Sequence, residues 1–382
     1  MLFKKIALGI SGGVDSAVSA LLLKRIGFDV SAVFMRNWEK SSEDEYCDVE
    51  KDIEDAQWVC KKLQIPFYEV DFTKDYWVHV FENTMKEYQA GFTPNPDIMC
   101  NASIKFDRFF NHCVNELDFD AIAMGHYVRS SFGSYLENYV ENQPAKLLMG
   151  RDGTKDQSFF LSRIAQRALQ KTMFPVGEFT KSEVKEIAHA EQLHRVLEKK
   201  ESMGLCFIGK RNFQSFMSQY VADKPGRFID VDTGDVVGKH KGVHLWTIGQ
   251  RARVSGSPVV YFVVHKDAPS GDIFVCIGQD HPALFSRSLV LSDDQWMIEK
   301  PGDLIECEFR IFHRRPLKKC HVITLPNGKL LLEVDEPIHV AAPGQFAVFY
   351  KDEECLGSAK IISIGYLDWF NDQVCDTRLS SA

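Results

Sequence analysis

The residues best suited to chemistry are Ser11-Gly12-Gly13-Val14-Asp15-Ser16, directly after the apolar stretch 6–10. That stretch reads as a short buried strand, and residues 17–24 after the loop read as a helix. Strand, Gly-rich turn and helix gather backbone N–H groups and the positive end of a helix around a phosphate. Gly12 and Gly13 let the chain approach a ligand closely. Ser11 and Ser16 add hydroxyl donors. Asp15 would repel a bare phosphate, and holding Mg²⁺ on a nucleotide, directly or through water, gives it a purpose. No Gly-Lys-Ser/Thr follows, so this is not a Walker loop, and Gly-x-Gly-x-x-Gly is absent. Two glycines alone would suit an ordinary turn with a Ser or Asp helix cap. The whole hexapeptide behind the first strand favours the phosphate loop.

Two cysteines come next. Cys100 ends Thr93-Pro94-Asn95-Pro96-Asp97-Ile98-Met99 and precedes a helical pattern over 102–116. A helix N-terminus favours thiolate, and a buried small cysteine beside a rigid turn fits equally well. Cys206 lies in Glu201-Ser202-Met203-Gly204-Leu205-Cys206-Phe207-Ile208-Gly209, between Lys199, Lys200, Lys210 and Arg211. Neighbouring cations favour thiolate, but a core cysteine between Leu205 and Phe207 is the plainer reading of that stretch alone. Cys47, Cys60 and Cys113 read as structural. Gly125-His126-Tyr127 closes a strand at 120–124, where open α/β sheets bind ligands. Gly125 would admit a nucleotide, and His126 is either a core residue or a ligand contact.

The elements that must position these residues follow the strand–helix–strand order of a parallel sheet. Strands are expected at 29–35, 66–71 and 120–124. Helices are expected at 48–63, 75–90, 102–116, 159–169 and 181–191, the last capped by Thr180 or Ser182. A hairpin-like insertion falls at 130–143. After about residue 210 the pattern turns to short β segments punctuated by Gly and Pro. Strands at 304–312, 321–325, 330–334, 345–350 and 356–364, with the turn Pro326-Asn327-Gly328-Lys329, read as a small barrel. The expected fold class is therefore α/β: a Rossmann-like parallel-sheet domain over 1–208, a small β-rich linker domain over 209–284, a β-barrel over 285–370 and a tail over 371–382.

Composition narrows the function classes. The chain has 382 residues, which implies two or three domains. It is 45% hydrophobic and 26% charged, ordinary for a soluble protein, and no apolar run is long enough to span a membrane. The start, Met1-Leu2-Phe3-Lys4-Lys5, leaves no room for a leader before the first strand; a presequence removed earlier would leave the same start. Ten cysteines without Cys-x-x-Cys or paired Cys/His spacing exclude a disulfide scaffold and a zinc site, and suit a reducing compartment. A net charge of −8 disfavours a protein that coats nucleic acid. Two basic stretches remain: Lys239, His240, Lys241, His244, Arg251 and Arg253, and the run from Arg310 to His321 with Arg314, Arg315, Lys318 and Lys319. Each is either a solvated face or a grip on a polyanion.

The loop Gly9 to Ser16 resembles the PP-loop of the ATP pyrophosphatases, which cleave ATP to AMP and pyrophosphate. Together with the Thr93 to Asn101 motif followed by Ile104-Lys105-Phe106, with Gly125-His126-Tyr127, Lys155-Asp156-Gln157-Ser158-Phe159-Phe160-Leu161, Glu201 to Gly209, and Pro343-Gly344-Gln345-Phe346-Ala347-Val348-Phe349-Tyr350, the chain resembles the tRNA-specific 2-thiouridylases. Details at 48–60 and 352–358 are most similar to the mitochondrial branch. The resemblance implies ATP-dependent 2-thiolation of the wobble uridine, with ATP and Mg²⁺, the tRNA anticodon stem-loop, and a cysteine desulfurase or sulfur carrier as donor. It implies no membrane partner, and a mitochondrial location, or a cytoplasmic one for a bacterial chain. Gly9, Ile10, Ser11, Gly12, Gly13, Val14, Asp15, Ser16, Met35 and Gly125 would hold ATP. Asn95, Pro96 and Asp97 would surround the flipped uracil, and Asp97 would handle protons or hydrogen-bond the base. Cys206 would carry a persulfide and Cys100 would be its partner nucleophile, the two ending as a disulfide. His126, Lys155, Asp156, Gln157, Arg314, Arg315 and Gln345 would touch tRNA. The family's Arg-Tyr-Arg is replaced here by Phe312-His313-Arg314-Arg315-Pro316. The competing readings are another PP-loop ligase or amidotransferase acting on a small molecule, and a non-catalytic tRNA-binding or sulfur-carrier subunit.

Overall fold

The computed structural model describes residues 2–38, 48–199, 208 and 211–366. The N-terminal part is built on five parallel strands. β1 (Lys5–Ile10) leads through the Gly-rich loop into α1 (Val14–Ile26), and β2 (Asp29–Arg36) follows. α2 (Asp48–Leu63) precedes β3 (Phe67–Asp71). β4 (Ala121–Met124) feeds a hairpin of β5 (Val128–Ser130) and β6 (Leu147–Met149), and β7 (Thr172–Met173) closes the edge. The order is β3-β2-β1-β4-β7. β1 is buried from Ile6 to Ile10 because helices cover both faces of such a sheet. It pairs with β2 on one side and β4 on the other. The strand order therefore reverses at β1, and the loop after it lies in the crevice where such sheets hold ligands.

Some elements depart from the sequence expectation. The helix expected from residue 102 starts earlier, at Pro96, with Asn95 as cap and proline in the first turn, where its missing N–H costs nothing. It runs on through π-helical turns, Asn101–Arg108 and His112–Glu116. Cys100 therefore sits inside a helix and not at its N-terminus, so the argument for a helix-stabilised thiolate there fails. The apolar stretch 159–169 forms only two short pieces, Ser158–Leu161 and Gln166–Leu169. Its apolar residues Phe159, Leu161, Ile164 and Leu169 face the core in every direction, a pattern that mimics a helix.

A second sheet of five short strands, from Gly226–Asp230 to Asp272–Ile277, follows. The C-terminal barrel has six strands, because Phe285–Trp296 pairs with both Leu330–His339 and Glu354–Tyr366 and closes the ring. Sequence reading did not anticipate the first of these strands; its second half, Ser292-Asp293-Asp294-Gln295, has the polarity of a loop. Inward residues Leu289, Leu291, Val322, Leu332 and Phe349 fill the barrel. β6 adds to the last barrel strand through Leu147 opposite Cys355 and Leu148 opposite Glu354. The first domain is thus joined to the barrel through main-chain pairing. Among the described residues no helix is long and apolar enough to cross a membrane.

Candidate active site

The phosphate loop is held by its own serines. Ser16 Oγ accepts from the Ser11 N–H at 3.2 Å, donates to the Gly13 carbonyl at 3.0 Å and lies 3.3 Å from Ser11 Oγ. Gly12 adopts φ +69, and a Cβ there would fall 2.3 Å from the Asp52 carbonyl oxygen. Only glycine fits. Gly13 has no side chain to cap α1, so among the described residues the first N–H groups of this helix are left for an anion. Gly9 and Ile10 end β1, and Met35 stands near the end of β2. Gly125 follows β4 so closely that a Cβ would meet the Ser16 backbone nitrogen at 2.9 Å. Loop, uncapped helix end and bare backbone opposite form a cradle that fits the phosphates of ATP.

Asp15 is not a bare carboxylate in this cradle. Lys181 Nζ lies 2.7 and 2.8 Å from its two oxygens, and the Tyr127 hydroxyl donates to it at 2.6 Å. Lys181 is the first residue of helix Lys181–Ala190, whose Thr180–Glu183 capping box fixes its first turn. Sequence reasoning missed Lys181; the Thr-x-x-Glu box was the available signal. In the sequence, Lys199 stands out only as a cation near Cys206. It donates to the Gly12 carbonyl at 3.2 Å and to Asp55 at 3.1 Å, and also pairs with Asp52, pinning the loop against α2. Mg²⁺ fits at Asp15 only as the partner of a bound nucleotide, in place of Lys181. Among the described residues no group of three or more His, Cys, Asp or Glu is placed to hold a metal.

The second part of the site is the turn before Cys100. Asn95 Oδ1 caps the helix by accepting from the Ile98 N–H at 3.2 Å. Pro96 is buried within the first turn. Burial raises the Asp97 carboxyl above its ordinary value, against the pull of nearby Lys105. Cys100 is buried at the end of this segment. The His126 ring packs against Phe106 at 5.7 Å, on the helix that continues from Cys100. Burial, aided by Lys105, pulls the imidazole well below its usual value, so His126 is neutral; its Nδ1 has no hydrogen-bond partner among the described residues. Cys206 and residues 201–207 lie outside the described residues. Cys60 and Cys113 are buried, and desolvation pushes both thiols up to about 12, as inert structural cysteines require.

The residues assigned by resemblance to RNA divide into two groups. Arg314 and Arg315 are exposed on the turn after strand Leu304–Arg310, and Lys155 is half-buried. Asp156 is buried instead, with its carboxylate paired to Arg310 of the barrel. Its other oxygen accepts from the Gly150 and Ser158 N–H groups at 2.9 and 3.1 Å. Arg310 also donates to the Tyr350 hydroxyl at 2.9 Å and to Ser158 Oγ at 3.1 Å. A buried guanidinium needs such a partner set, so Arg310 leaves the basic face. The Asp156 carboxylate holds the loop to the barrel and is closed to a surface ligand. Gln157 Oε1 accepts from the Tyr127 N–H at 2.9 Å, supporting the Gly125-His126-Tyr127 turn. Gln345 bonds to residues 93–95. The His313 ring packs at a tilt against Phe160, with centroids 4.6 Å apart, and docks the arginine-bearing turn on the first domain.

Three family profiles cover most of the chain: tRNA methyl transferase HUP domain over residues 4–210, tRNA methyl transferase PRC-barrel domain over 214–277, and aminomethyltransferase beta-barrel domain over 286–361. The mitochondrial tRNA-specific 2-thiouridylase 1 of Drosophila melanogaster is 46% identical over 378 residues, covering 97% of each chain. The protein of that name from Homo sapiens is 45% identical over 383 residues, covering 95% of this chain and 91% of its own. The tRNA-specific 2-thiouridylase MnmA of Alkaliphilus oremlandii is 42% identical over 367 residues, covering 94% of this chain and 97% of its own. With such identity along nearly its whole length, the chain belongs to the tRNA-specific 2-thiouridylase family.

Proposed function

We propose that this chain uses ATP to replace the 2-oxygen of the tRNA wobble uridine with sulfur, acting in mitochondria as its relatives' names suggest. One observation carries the reading. Gly125-His126-Tyr127 ties the phosphate loop to the helix of Cys100: Gly125 abuts Ser16, Tyr127 holds Asp15, and His126 packs on Phe106. A nucleotide in the loop and a base beside Asn95, Pro96 and Asp97 would meet along this strip. The base reaches it only by leaving its stack.

The uracil 2-oxygen is a poor leaving group. Its attack on the α-phosphate of ATP forms an adenylate and releases pyrophosphate. The loop N–H groups and Lys181 stabilise charge on the phosphates. Mg²⁺ on the nucleotide would neutralise further charge. Asp97, desolvated and held above the ordinary carboxylate range, is suited to share a proton with the base. Sulfur then attacks C2 and AMP leaves. A persulfide on Cys206 would attack directly, and the Cys100 thiolate would then attack the Cys206 sulfur of the adduct, breaking its S–S bond and freeing the thiouridine; or Cys100 would first attack the inner sulfur of the persulfide and release hydrosulfide as the nucleophile. Either route leaves a Cys100–Cys206 disulfide that a two-electron thiol reductant resets. A cysteine desulfurase or sulfur carrier would reload Cys206. Arg314, Arg315 and Lys155 would grip the anticodon stem-loop, a salt-dependent contribution. ATP-dependent incorporation of labelled sulfur into tRNA tests the reading.

A further inference from the structure

The turn that would face the base is held from two other parts of the chain. Gln345, at the start of barrel strand Phe346–Lys351, donates its amide N–H groups to the Thr93 carbonyl at 2.8 Å and the Pro94 carbonyl at 3.0 Å. Its oxygen accepts from Asn95 Nδ2 at 3.1 Å. Both donors are thus used inside the protein, leaving one acceptor lone pair for any other partner. Fixing Asn95 Nδ2 also turns Asn95 Oδ1 toward the Ile98 N–H that it caps. The main chain approaches just as closely. Thr93 N–H donates to the Pro343 carbonyl at 2.8 Å, and Gly344, at φ +97, has no room for a Cβ, which would lie 2.8 Å from the Thr93 nitrogen. From the middle sheet, Lys266 Nζ reaches Thr93 Oγ1 at 3.4 Å while bonded to the Trp246 carbonyl at 2.8 Å. The barrel itself is fixed to the first domain by the buried Arg310–Asp156 pair and by Lys360 with Glu87.

We propose that Gln345 is a positioning residue through which the C-terminal barrel sets the geometry of the turn at residues 93–97. The inference rests on the thiolation reading above and changes the part Gln345 plays in it. The barrel that grips RNA also shapes the pocket that receives the base. Asn95 keeps its capping rotamer, and with it the placement of Asp97 and Cys100, only while Gln345 is in place.

The test compares wild type with Gln345→Met, which keeps the side-chain length and loses every side-chain hydrogen bond. Gln345→Glu serves where the methionine variant does not fold. Amide hydrogen exchange in the free full-length protein should quicken about tenfold or more at the bonded Thr93 and Ile98 amides of the 93–98 segment, and stay unchanged in α1. Single-turnover thiolation at saturating tRNA should fall about tenfold or more, with tRNA affinity within about threefold of wild type. Unchanged exchange over 93–98, or a wild-type rate at saturating tRNA with weakened binding, overturns the proposal; the latter would mark Gln345 as a direct RNA contact. A wild-type protein without thiolation activity would defeat the functional reading, and the exchange measurement would still decide the clamp.

Discussion

Lys181 Nζ bridges both carboxylate oxygens of Asp15, at 2.7 and 2.8 Å, at the mouth of the phosphate loop. The pair is partly shielded, with the lysine side chain 12% exposed, so each charge is held close to where a triphosphate would enter. A phosphate would give Lys181 a second anionic partner and free Asp15 for a cation. Lys181→Met should therefore weaken nucleotide binding about tenfold or more, as expected for loss of one charge-assisted contact. Direct binding of a fluorescent ATP analogue measures this. Wild-type affinity in Lys181→Met would confine the lysine to loop structure.

Arg310 and Asp156 form the corresponding joint between barrel and first domain. Removing one partner leaves an uncompensated buried charge, which typically costs about 3–5 kcal/mol. Arg310→Met should lower the free energy of unfolding by that order, and Arg310→Met combined with Asp156→Asn should recover part of the loss. Chemical denaturation of wild type, the two single variants and the double variant checks both statements. With Asp156→Asn alone as the fourth member of the cycle, losses that simply add in the double variant would mean the pair is not coupled.

The pH dependence of stability should carry the mark of Lys266. Burial lowers its ammonium from the usual 10.5 to about 7. Between those values the unfolded chain holds a proton that the folded chain does not. Stability contributed by this site therefore rises with pH across that window and is lowest below about 7. Lys266→Met removes the term, so the difference in midpoint between variant and wild type should change steadily from pH 7 to 10. Parallel curves would show that Lys266 does not titrate there.

Much of this site was legible in the sequence because local chemistry dictated it. The Gly-rich loop needs a left-handed residue at Gly12, and that is written in residue types; the Asn-Pro turn was legible as a rigid turn, but not as the start of the helix that Asn95 caps. The parallel sheet followed from apolar runs of strand length. What was not legible depends on distant partners. Asp156 reads as a polar loop residue, and only Arg310, 154 positions later, shows why it is buried. Gln345 reads as a surface amide until the turn at 93–95 is folded against it. Lys181 acquires its role from Asp15, 166 positions earlier. The strand at 285–296 escaped notice because half of it is polar, and closure of the barrel, not propensity, makes it a strand.

The most direct measurement is ATP-dependent transfer of labelled sulfur to tRNA by the full chain, loaded with a cysteine desulfurase. Wild type is compared with Cys206→Ser, and a native transcript with one lacking the wobble uridine. The account predicts incorporation by wild type into the native transcript, and loss in both comparisons. Incorporation into the transcript without the wobble uridine would contradict the assigned base. Undiminished incorporation by Cys206→Ser would contradict the persulfide route. No incorporation under any condition, with pyrophosphate released from ATP and a small molecule instead, would contradict the central claim.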